Sequence, residues 1–241
     1  MEKCLVFEVR GDWAHFRKIY TTSSPLSYSI PPRTTTAGLI AAVIGLDKTQ
    51  YYDYFTKDRA SIAVRIINPI RKFRIGLNFI NTKTAKMFAQ IRERTQVKQE
   101  LVKKPHYRIY FYHTDQEMYQ NLQGFLERGQ SFYTPYLGLS EYLAHIEYIG
   151  ELAIREVNGG VEVPIHSVLP LHDKFPINFD QDDPDQRGEY FKETMPNDFE
   201  RGNQRVVNEF AKVLFERKGK AIKCTPNKYW QVGNGENIIF L

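Results

Sequence analysis

The chain has 241 residues, 42% of them hydrophobic, which is enough to bury the core of one large domain or of a domain with a substantial appendage. It carries a net charge of +5, and 14% of its residues are aromatic, a fraction that suits β-structure, base stacking or protein interfaces. The two cysteines have no disulfide or zinc spacing and no apolar stretch reaches membrane-spanning length, so we expect a cytoplasmic protein without a metal or cofactor.

The first elements predicted are a strand and a helix, separated by a long connection. Residues 3–10 alternate and carry β-formers, which predicts a strand. The connection at 11–32 is rich in Gly, Ser, Thr, Tyr and Pro, and its closing Pro-Pro pair can open a helix. Residues 33–46 are apolar on nearly all sides, which predicts a helix buried against a sheet.

The middle of the chain contains two further strand patterns, at 60–68 and 106–113. Residues 69–104 between them are basic and weakly periodic. This pattern is compatible with an extended hairpin, a mobile loop or a partly helical segment. A capping box of the form T-x-x-E then predicts a helix from 114 to about 128, ended by a glycine.

The C-terminal part is dominated by strand and loop patterns. Residues 142–157 and 161–168 predict two strands joined by an Asn-Gly-Gly hairpin turn. Residues 169–204 are acidic and contain prolines, which predicts a long surface loop, and residues 205–216 are ambiguous between strand and helix. Residues 229–241 predict a closing hairpin.

The predicted order is β-α-β-β-α-β, the split βαβ pattern of ferredoxin-like folds and of RRM-type RNA-binding domains. This order requires the basic insert at 69–104 to fold outside the core. We therefore predict an α+β protein with a ferredoxin-like (RRM-like) domain at 1–157. A smaller C-terminal β-rich region would follow at 158–241, with an acidic loop at 173–200.

Charge is unevenly distributed along the chain. Residues 65–108 contain twelve Lys or Arg against two acids, a net of +10, whereas residues 173–200 contain nine acids against three bases, a net of −6. A basic run is often only a solvated surface, but a run of this size with so few acids favours a polyanion partner.

The first candidate site surrounds the start of the first predicted helix. Arg17, Lys18 and Tyr20 precede that helix, and Arg33 and Thr34 open it. Backbone N–H groups and the helix dipole attract anions at such a position, where a phosphate would also receive guanidinium and hydroxyl donors. The alternative is that the threonines only cap the helix.

Two further candidates lie in the basic insert and in a later turn. Phenylalanines are interleaved with the candidate cations of the insert, which are Arg71, Lys72, Arg74 and Lys104. Cations that hold phosphates beside rings that hold bases suit single-stranded RNA, although a basic surface hairpin with packed rings gives the same pattern. In the later turn, Gly138 would let an RNA backbone pass close to the chain, or it only permits a tight turn.

One set of residues fits catalysis. Lys104, His106 and Tyr20 could form a metal-free RNA-cleaving site, in which the imidazole moves protons and the lysine stabilises the charge that develops on phosphorus. A strand-edge histidine beside a basic loop is the simpler interpretation, and we favour it. The chain contains no HExxH, GxSxG, P-loop or GxGxxG motif.

Residues 11–46, GDWAHFRKIYTTSSPLSYSIPPRTTTAGLIAAVIGL, resemble the N-terminal signature of the Cas5 family of CRISPR-associated proteins, and most closely its subtype I-B (Hmari) branch. The shared features are a basic-aromatic FRK step, a Ser-Pro segment and a PPRTT helix entry. The YLGLSE turn at 136–141 and the segment at 96–112 resemble further parts of the family. The similarity spans most of residues 3–155.

The resemblance implies a ferredoxin-like domain with an inserted thumb hairpin and a smaller C-terminal β region. Proteins of this family cap the repeat-derived 5′ handle of CRISPR RNA in antiviral Cascade complexes. They contact a backbone subunit and the large subunit that reads target DNA. Residues 71–104 would be the thumb, which presses on RNA and on the backbone subunit. The residues implied to hold the handle are Arg17, Lys18, Tyr20, Arg33 and Thr34.

The resemblance also bears on catalysis. The subtype I-C branch cleaves precursor RNA with a Tyr, Lys and His set, whereas Pro105 separates Lys104 from His106 in this chain. In I-B systems a different subunit processes the RNA. Our preferred hypothesis is therefore a non-catalytic RNA-binding and assembly subunit. A metal-independent endoribonuclease is the alternative, and a protein–protein scaffold with incidental RNA contacts is the third.

Overall fold

The described residues fold mainly into β-strands, which include a curled sheet. Among the residues that are described, no helix is both long enough and apolar enough to span a membrane. The computed structural model describes residues 1–21, 23–80, 82, 84–90, 94–171, 175–179, 188–200 and 206–241.

The largest sheet has six strands, and each neighbouring pair is antiparallel. In spatial order its strands are β17 (Asn237–Ile238), β16 (Lys228–Val232), β9 (His145–Asn158), β1 (Lys3–Arg10), β8 (His106–His113) and β5 (Ala60–Ile66). The strands predicted at 3–10, 60–68 and 106–113 are confirmed as β1, β5 and β8. The two C-terminal strands complete the same sheet.

Alternation along β1 divides this sheet into two faces. Leu5 and Phe7 belong to the main core, together with buried residues of α1 (Arg33–Ile44) and α3 (Gln116–Glu127). Cys4 points to the other face and packs against C-terminal strands. Because nine of the twelve residues of α1 are buried, its nearly all-round apolar composition fits its position under the sheet.

The start of α3 differs from the prediction by one residue. Its N-cap is Asp115, whose carboxylate accepts hydrogen bonds from the N–H groups of Glu117 and Met118. The capping box predicted at Thr114 is therefore wrong, because the aspartate side chain already binds the N–H groups that a cap must satisfy. The predicted end of the helix is confirmed, since Gly129 follows it with a φ of +61°.

The basic insert is an extended hairpin, the first of the three alternatives that the sequence left open. Strand β6 (Lys72–Ile80) pairs in antiparallel register with β7 (Arg94–Lys103), and the short helix α2 (Ala85–Ala89) lies between them in the chain. Strand β2 (Trp13–Ala14) pairs with β7 and attaches the base of the hairpin to the body of the protein.

The remaining strands form small sheets. A two-stranded sheet pairs β3 (Phe16–Arg17) with β4 (Ser27–Tyr28), and a 3-10 helix spans Tyr51–Asp53. The two C-terminal sheets consist of β10 (Val163–Ile165), β15 (Ile222–Cys224) and β12 (Ile177–Asn178), and of β11 (Leu169–Pro170), β14 (Val207–Glu216) and β13 (Tyr190–Phe199).

The Asn-Gly-Gly segment after β9 does not form the predicted hairpin. The N–H groups of Gly159 and Gly160 donate instead to the carbonyls of Asn227 and Pro226, which precede β16. A Cβ at Gly159 would lie 1.5 Å from the Pro226 carbonyl oxygen, so glycine serves this close crossing of two chain segments. As a result, β10 pairs with β15 rather than with β9.

The surface loop predicted at 169–204 is also partly wrong, because this segment contains the ten-residue strand β13. Strand β13 pairs along its length with β14, which resolves the ambiguity of 205–216 in favour of a strand. Met195 is buried in the main core, so packing and not only pairing holds β13 in place. The closing hairpin predicted at 229–241 is confirmed as β16 and β17. Residues 172–174, 180–187 and 201–205 of the predicted loop and its end lie outside the described residues.

Candidate nucleic-acid interface

A cleft of about 630 Å³ lies between α1, the segment around β3 and the loop at 133–139, and is called the α1 cleft below. It is lined by hydroxyl groups, aromatic rings and exposed cations. The lining residues that bear on binding are Arg17, Thr34, Thr35, Lys48, Tyr51, Tyr133 and Tyr136.

Small residues on α1 make room for the cleft. A Cβ at Gly38 would lie 3.3 Å from the hydroxyl oxygen of Tyr51, which forms the opposite wall. At the start of the helix, Pro32 is the N-cap and supplies no side-chain cap. Thr34 and Thr35 both line the cleft beside this helix start, so their position fits a binding wall better than the cap that the sequence left open.

The loop that forms the other wall is fixed by a close contact with the chain itself. Gly138 has a φ of +96°, and a Cβ there would lie 2.0 Å from the carbonyl oxygen of His15. The His15 N–H also donates to the Leu137 carbonyl at 3.0 Å. Gly138 therefore lines the cleft, but the backbone that passes close to it is that of the protein itself, and its predicted contact with RNA stays a prediction.

Two aromatic side chains stand at the exposed side of this loop. Tyr133 is 49% exposed and Tyr136 is 45% exposed, although both contribute to the wall of the cleft. Tyr20, on the turn after β3, is 67% exposed. Rings that remain accessible beside a cleft can stack on unpaired bases, which have two apolar faces.

Arg17 and Lys48 are exposed cations at the cleft. The Arg17 guanidinium donates to the Thr21 carbonyl at 3.2 Å, and within the described residues neither cation forms an ion pair. Asp47 also lines the cleft, and hydrogen bonds from the hydroxyl and N–H of Thr49 lower its pKa, so its carboxylate stays ionised and offsets only one of the two positive charges. The cleft therefore keeps positive charge available for an anion.

Lys18 and Lys72 are not available in the same way, because both bind Glu193 of β13. The distances from their Nζ atoms to Oε1 of Glu193 are 3.2 Å and 3.6 Å. The N–H and hydroxyl of Ser29 also donate to this carboxylate, which is only 9% exposed. Burial opposes the charge of Lys18, but its attraction to Glu193 outweighs burial and raises the pKa. The acidic segment thus neutralises part of the predicted basic site.

Arg33 does not fit the RNA-binding role predicted for it. Its side chain is 1% exposed, and its guanidinium donates to the carbonyls of Asn197, Phe55 and Ala60 at 2.7 to 3.1 Å. Burial lowers its pKa, which the Asp198 carboxylate at 3.7 Å partly restores. Arg33 joins the start of α1 to β13 and to the segment before β5, and it cannot reach a ligand in solvent.

The cations of the hairpin divide into paired and unpaired groups. Lys72 binds Glu100 at 3.1 Å, and the Arg74 side chain, which is 68% exposed, lies 3.6 Å from the same carboxylate. Arg71 is exposed and forms no ion pair within the described residues. Phe73 is 52% exposed, and its ring centroid lies 5.9 Å from that of Trp13. An exposed ring and an exposed guanidinium, those of Phe73 and Arg74, therefore lie on β6, and Arg71 adds a second exposed guanidinium just before the strand.

The structure does not assemble the catalytic set of Lys104, His106 and Tyr20. Adjacent residues of a strand point to opposite faces, and Tyr107 points to the face of α1, where its hydroxyl donates to Ser29. His106 therefore points away from that face, and its Nε2 binds Glu8 at 2.6 Å. Lys104 lies at this end of the sheet, whereas Tyr20 belongs to the turn after β3.

Sequence reasoning missed the residues that complete the α1 cleft. Tyr51, Tyr133 and Tyr136 lie far from the basic-aromatic step in the chain, and tyrosine alone carries no binding signal. It also missed Glu193, although the unbalanced charge of the acidic segment was visible. That imbalance could have indicated an internal partner for the basic segment, but not which cations are paired.

A family model identifies the family of the chain, and two solved structures share its fold. A family model described as CRISPR-associated protein (Cas_Cas5) matches residues 4–210. The fold is similar to that of a CRISPR protein from Archaeoglobus fulgidus, with a TM-score of 0.57 and 13% identity over 99% of this chain and 98% of that one. It is also similar to a chain of a CRISPR RNA-guided surveillance complex, with a TM-score of 0.50 and 10% identity over 91% of both chains. No curated protein is a significant match in sequence. Because the family model covers most of its length, the chain belongs to the Cas5 family of CRISPR-associated proteins.

Proposed function

We propose that this chain is a non-catalytic subunit of a CRISPR RNA-guided surveillance complex and that it binds the 5′ handle of CRISPR RNA in the α1 cleft. Its family and the similarity of its fold to a chain of a surveillance complex support the first part. The observation that carries the second part is the cleft itself, where an accessible Arg17 meets exposed tyrosines and the hydroxyls of α1.

The chemistry of the cleft suits single-stranded RNA better than a small polar ligand. Arg17 and Lys48 can each hold a phosphate, and Tyr133 and Tyr136 offer rings for unpaired bases. Thr34 is buried, but the neighbouring Thr35 is half-buried at the same wall, and its hydroxyl can bond sugar or phosphate oxygens. A terminal single strand can use these groups together because its bases are not occupied by pairing.

The proposal includes a ferredoxin-like arrangement of the core. The spatial order β9-β1-β8-β5 places the strands in the order fourth, first, third, second along the chain. Helix α1 connects β1 with β5 and α3 connects β8 with β9, and both contribute to the same core. This arrangement is the one expected of a split βαβ unit with the β6–β7 hairpin inserted.

We further propose that the β6–β7 hairpin is the thumb that contacts a backbone subunit of the complex. Phe73 and Phe79 are each 52% exposed on β6, which is an outer strand of its three-stranded sheet. Exposed rings beside cations are typical of surfaces that become buried in an assembly. A large subunit as second partner and the subtype I-B assignment follow from the sequence resemblance and form part of the same proposal.

RNA binding is tested with the purified complex and with Arg17→Ala and Tyr136→Ala. We expect Arg17→Ala to weaken RNA retention about tenfold and to lower the slope of log K against log salt by about one. Tyr136→Ala should weaken retention with little change in that slope, since stacking releases no counterions. Lys228→Ala is the matched control, because Lys228 lies on β16 and binds Glu156. Equal retention by all four proteins would refute the cleft as the RNA site.

The non-catalytic part of the proposal has a separate test. The protein is incubated with repeat RNA in EDTA, and the products are compared with those of His106→Ala. We expect no specific cleavage, because His106 binds Glu8 and points away from the face that carries Tyr107 and α1. A specific cut that His106→Ala abolishes would establish the endoribonuclease instead.

A further inference from the structure

Three side chains able to carry positive charge lie in a row at one end of the six-stranded sheet. The register pairs Arg10 of β1 with His106 of β8 on one side and with His145 of β9 on the other. Directly paired residues of neighbouring strands point to the same face. The row lies on the face of Glu8 and Cys4, which is opposite to the face covered by α1.

The row forms one wall of a second cleft of about 510 Å³, called the sheet-end cleft below. Lys104 and Asn68 form another wall. The backbone of Lys104 has a φ of +47°, and its N–H donates to the Asp12 carbonyl at 2.8 Å. A left-handed conformation is uncommon for lysine, and here it reverses the chain between β7 and β8 beside the cleft.

Nearby acids compensate part of this positive charge, whereas Lys104 and His145 form no ion pair among the described residues. Glu8 is occupied, because one carboxylate oxygen accepts from His106 and the other from two nitrogens of Arg108, at 3.0 and 2.7 Å. Burial raises the pKa of Glu8, but these hydrogen bonds outweigh burial and keep the pKa lowered. Glu147 lies 3.4 Å from Arg10, and both side chains are about half exposed, so a ligand can replace this weak pair. Asp12 is the acid that lines the cleft.

The charge around the cleft continues towards the base of the hairpin. Lys103 precedes Lys104, and its N–H donates to the Arg71 carbonyl at 2.8 Å, which places these residues side by side. Lys103 and Arg71 are exposed, and among the described residues neither forms an ion pair. A continuous path of cations tracks a polyanion backbone, whereas a single carboxylate of a protein partner would need only one or two of them.

We infer that the sheet-end cleft binds a phosphate group of a nucleic-acid strand, and that it does so separately from the α1 cleft. The Arg10 guanidinium can donate two parallel N–H bonds to a phosphate, and the Lys104 ammonium contributes a positive charge. The Asn68 amide and the two imidazoles add further hydrogen-bond donors. Two phosphate sites on opposite faces of the sheet would let the subunit hold a second segment of nucleic acid while the α1 cleft is filled.

The inference is tested by NMR of the imidazole C–H signals in the intact chain. Inorganic phosphate is the first probe. Hexauridylate with and without a 5′-phosphate follows, which distinguishes a terminal phosphate from an internal phosphodiester. We expect millimolar phosphate to shift the signals of His106 and His145, and Arg10→Ala to weaken this binding about tenfold. Arg155→Ala is the matched control, since Arg155 is an exposed arginine on β9 that binds Gln231.

The outcomes separate this inference from the RNA site proposed above. Arg17→Ala should leave the shifts of His106 and His145 unchanged, even when it weakens binding in the α1 cleft. Arg10→Ala should fold normally, as thermal melting will show, because the ion pair of Arg10 with Glu147 is exposed to solvent. Absence of phosphate-dependent shifts, or the same titration in Arg10→Ala, would overturn the inference. Shifts with inorganic phosphate but with neither hexauridylate would overturn its assignment to nucleic acid.

Discussion

Replacement of Arg33 by alanine separates a structural role from an RNA-binding role. The guanidinium donates to three backbone carbonyls in different parts of the chain: that of Phe55 before β5, that of Ala60 at the start of β5 and that of Asn197 in β13. Asp198 lies 3.7 Å away and is its carboxylate partner. Arg33→Ala removes these donors at once and leaves the carbonyl oxygens of Phe55, Ala60 and Asn197 without them in a buried place.

The expected loss of stability follows from this geometry. Removing one partner of a buried ion pair costs about 3–5 kcal/mol, because the remaining polar groups stay buried. Burial lowers the pKa of Arg33 and raises that of Asp198, so the pair does not fully recover the cost of burying its charges. We therefore expect the lower end of the range, about 3 kcal/mol, which changes the unfolding equilibrium by roughly a hundredfold.

The assay is urea unfolding followed by far-UV circular dichroism, with Arg33→Lys and Arg155→Ala as comparisons. Lysine keeps the charge but not the planar fork, so Arg33→Lys should lose an intermediate amount. Arg155→Ala should stay within about 0.5 kcal/mol of the unmodified chain, as surface changes usually do. A nearly unchanged midpoint for Arg33→Ala, together with a large loss of RNA binding, would refute the structural role.

Three further predictions concern single sites. Gly138 and Gly160 share a φ of +96°, but an added Cβ would meet a backbone oxygen at Gly138 and no atom within 4 Å at Gly160. Thermal melts should therefore show a loss of unfolding free energy well over about 1 kcal/mol for Gly138→Ala and of only about 1 kcal/mol for Gly160→Ala. Cys4 and Cys224 are buried, which raises the pKa of each thiol to about 12, so neither should react with a thiol reagent at pH 8 before unfolding; rapid reaction would contradict their burial. The pKa of Glu8 is lowered in the folded chain, so the full loss of unfolding free energy in Glu8→Gln should be seen above about pH 5. The difference in urea midpoint between the variant and the unmodified chain should vanish as the pH falls through the folded-state pKa of Glu8, and a difference that grows in acid would contradict the ion pairs assigned to Glu8.

The central sheet was predictable because its strands carry a local signal. Strands β1 and β8 carry short runs of apolar and aromatic residues, and α1 is apolar on nearly every side, so the local sequence of each element indicates that it is buried. The sequence predicted where the basic hairpin lies in the chain but not its secondary structure. A polar strand outside the core has no buried face, so its sequence does not show the alternation of apolar and polar residues by which a strand is recognised.

The candidate site was less predictable because its electrostatics depend on distant pairs. Glu193 is separated from Ser29 by 164 positions, and the same separation divides Arg33 from Asn197. No local pattern shows that β13 delivers carboxylates to cations that the sequence assigns to RNA. Arg17 and Tyr20 stayed accessible, whereas Lys18 lies one residue away and is paired.

The RNA contact of the α1 cleft is tested most directly by ultraviolet cross-linking of the complex purified with its own RNA, followed by identification of the linked peptides. Cross-links in the loop that carries Tyr133 and Tyr136, or at Tyr20, are the expected result, since these rings stand exposed beside Arg17. Cross-links confined to β13 and β14, with none in the 133–139 loop or the turn after β3, would contradict the proposed site.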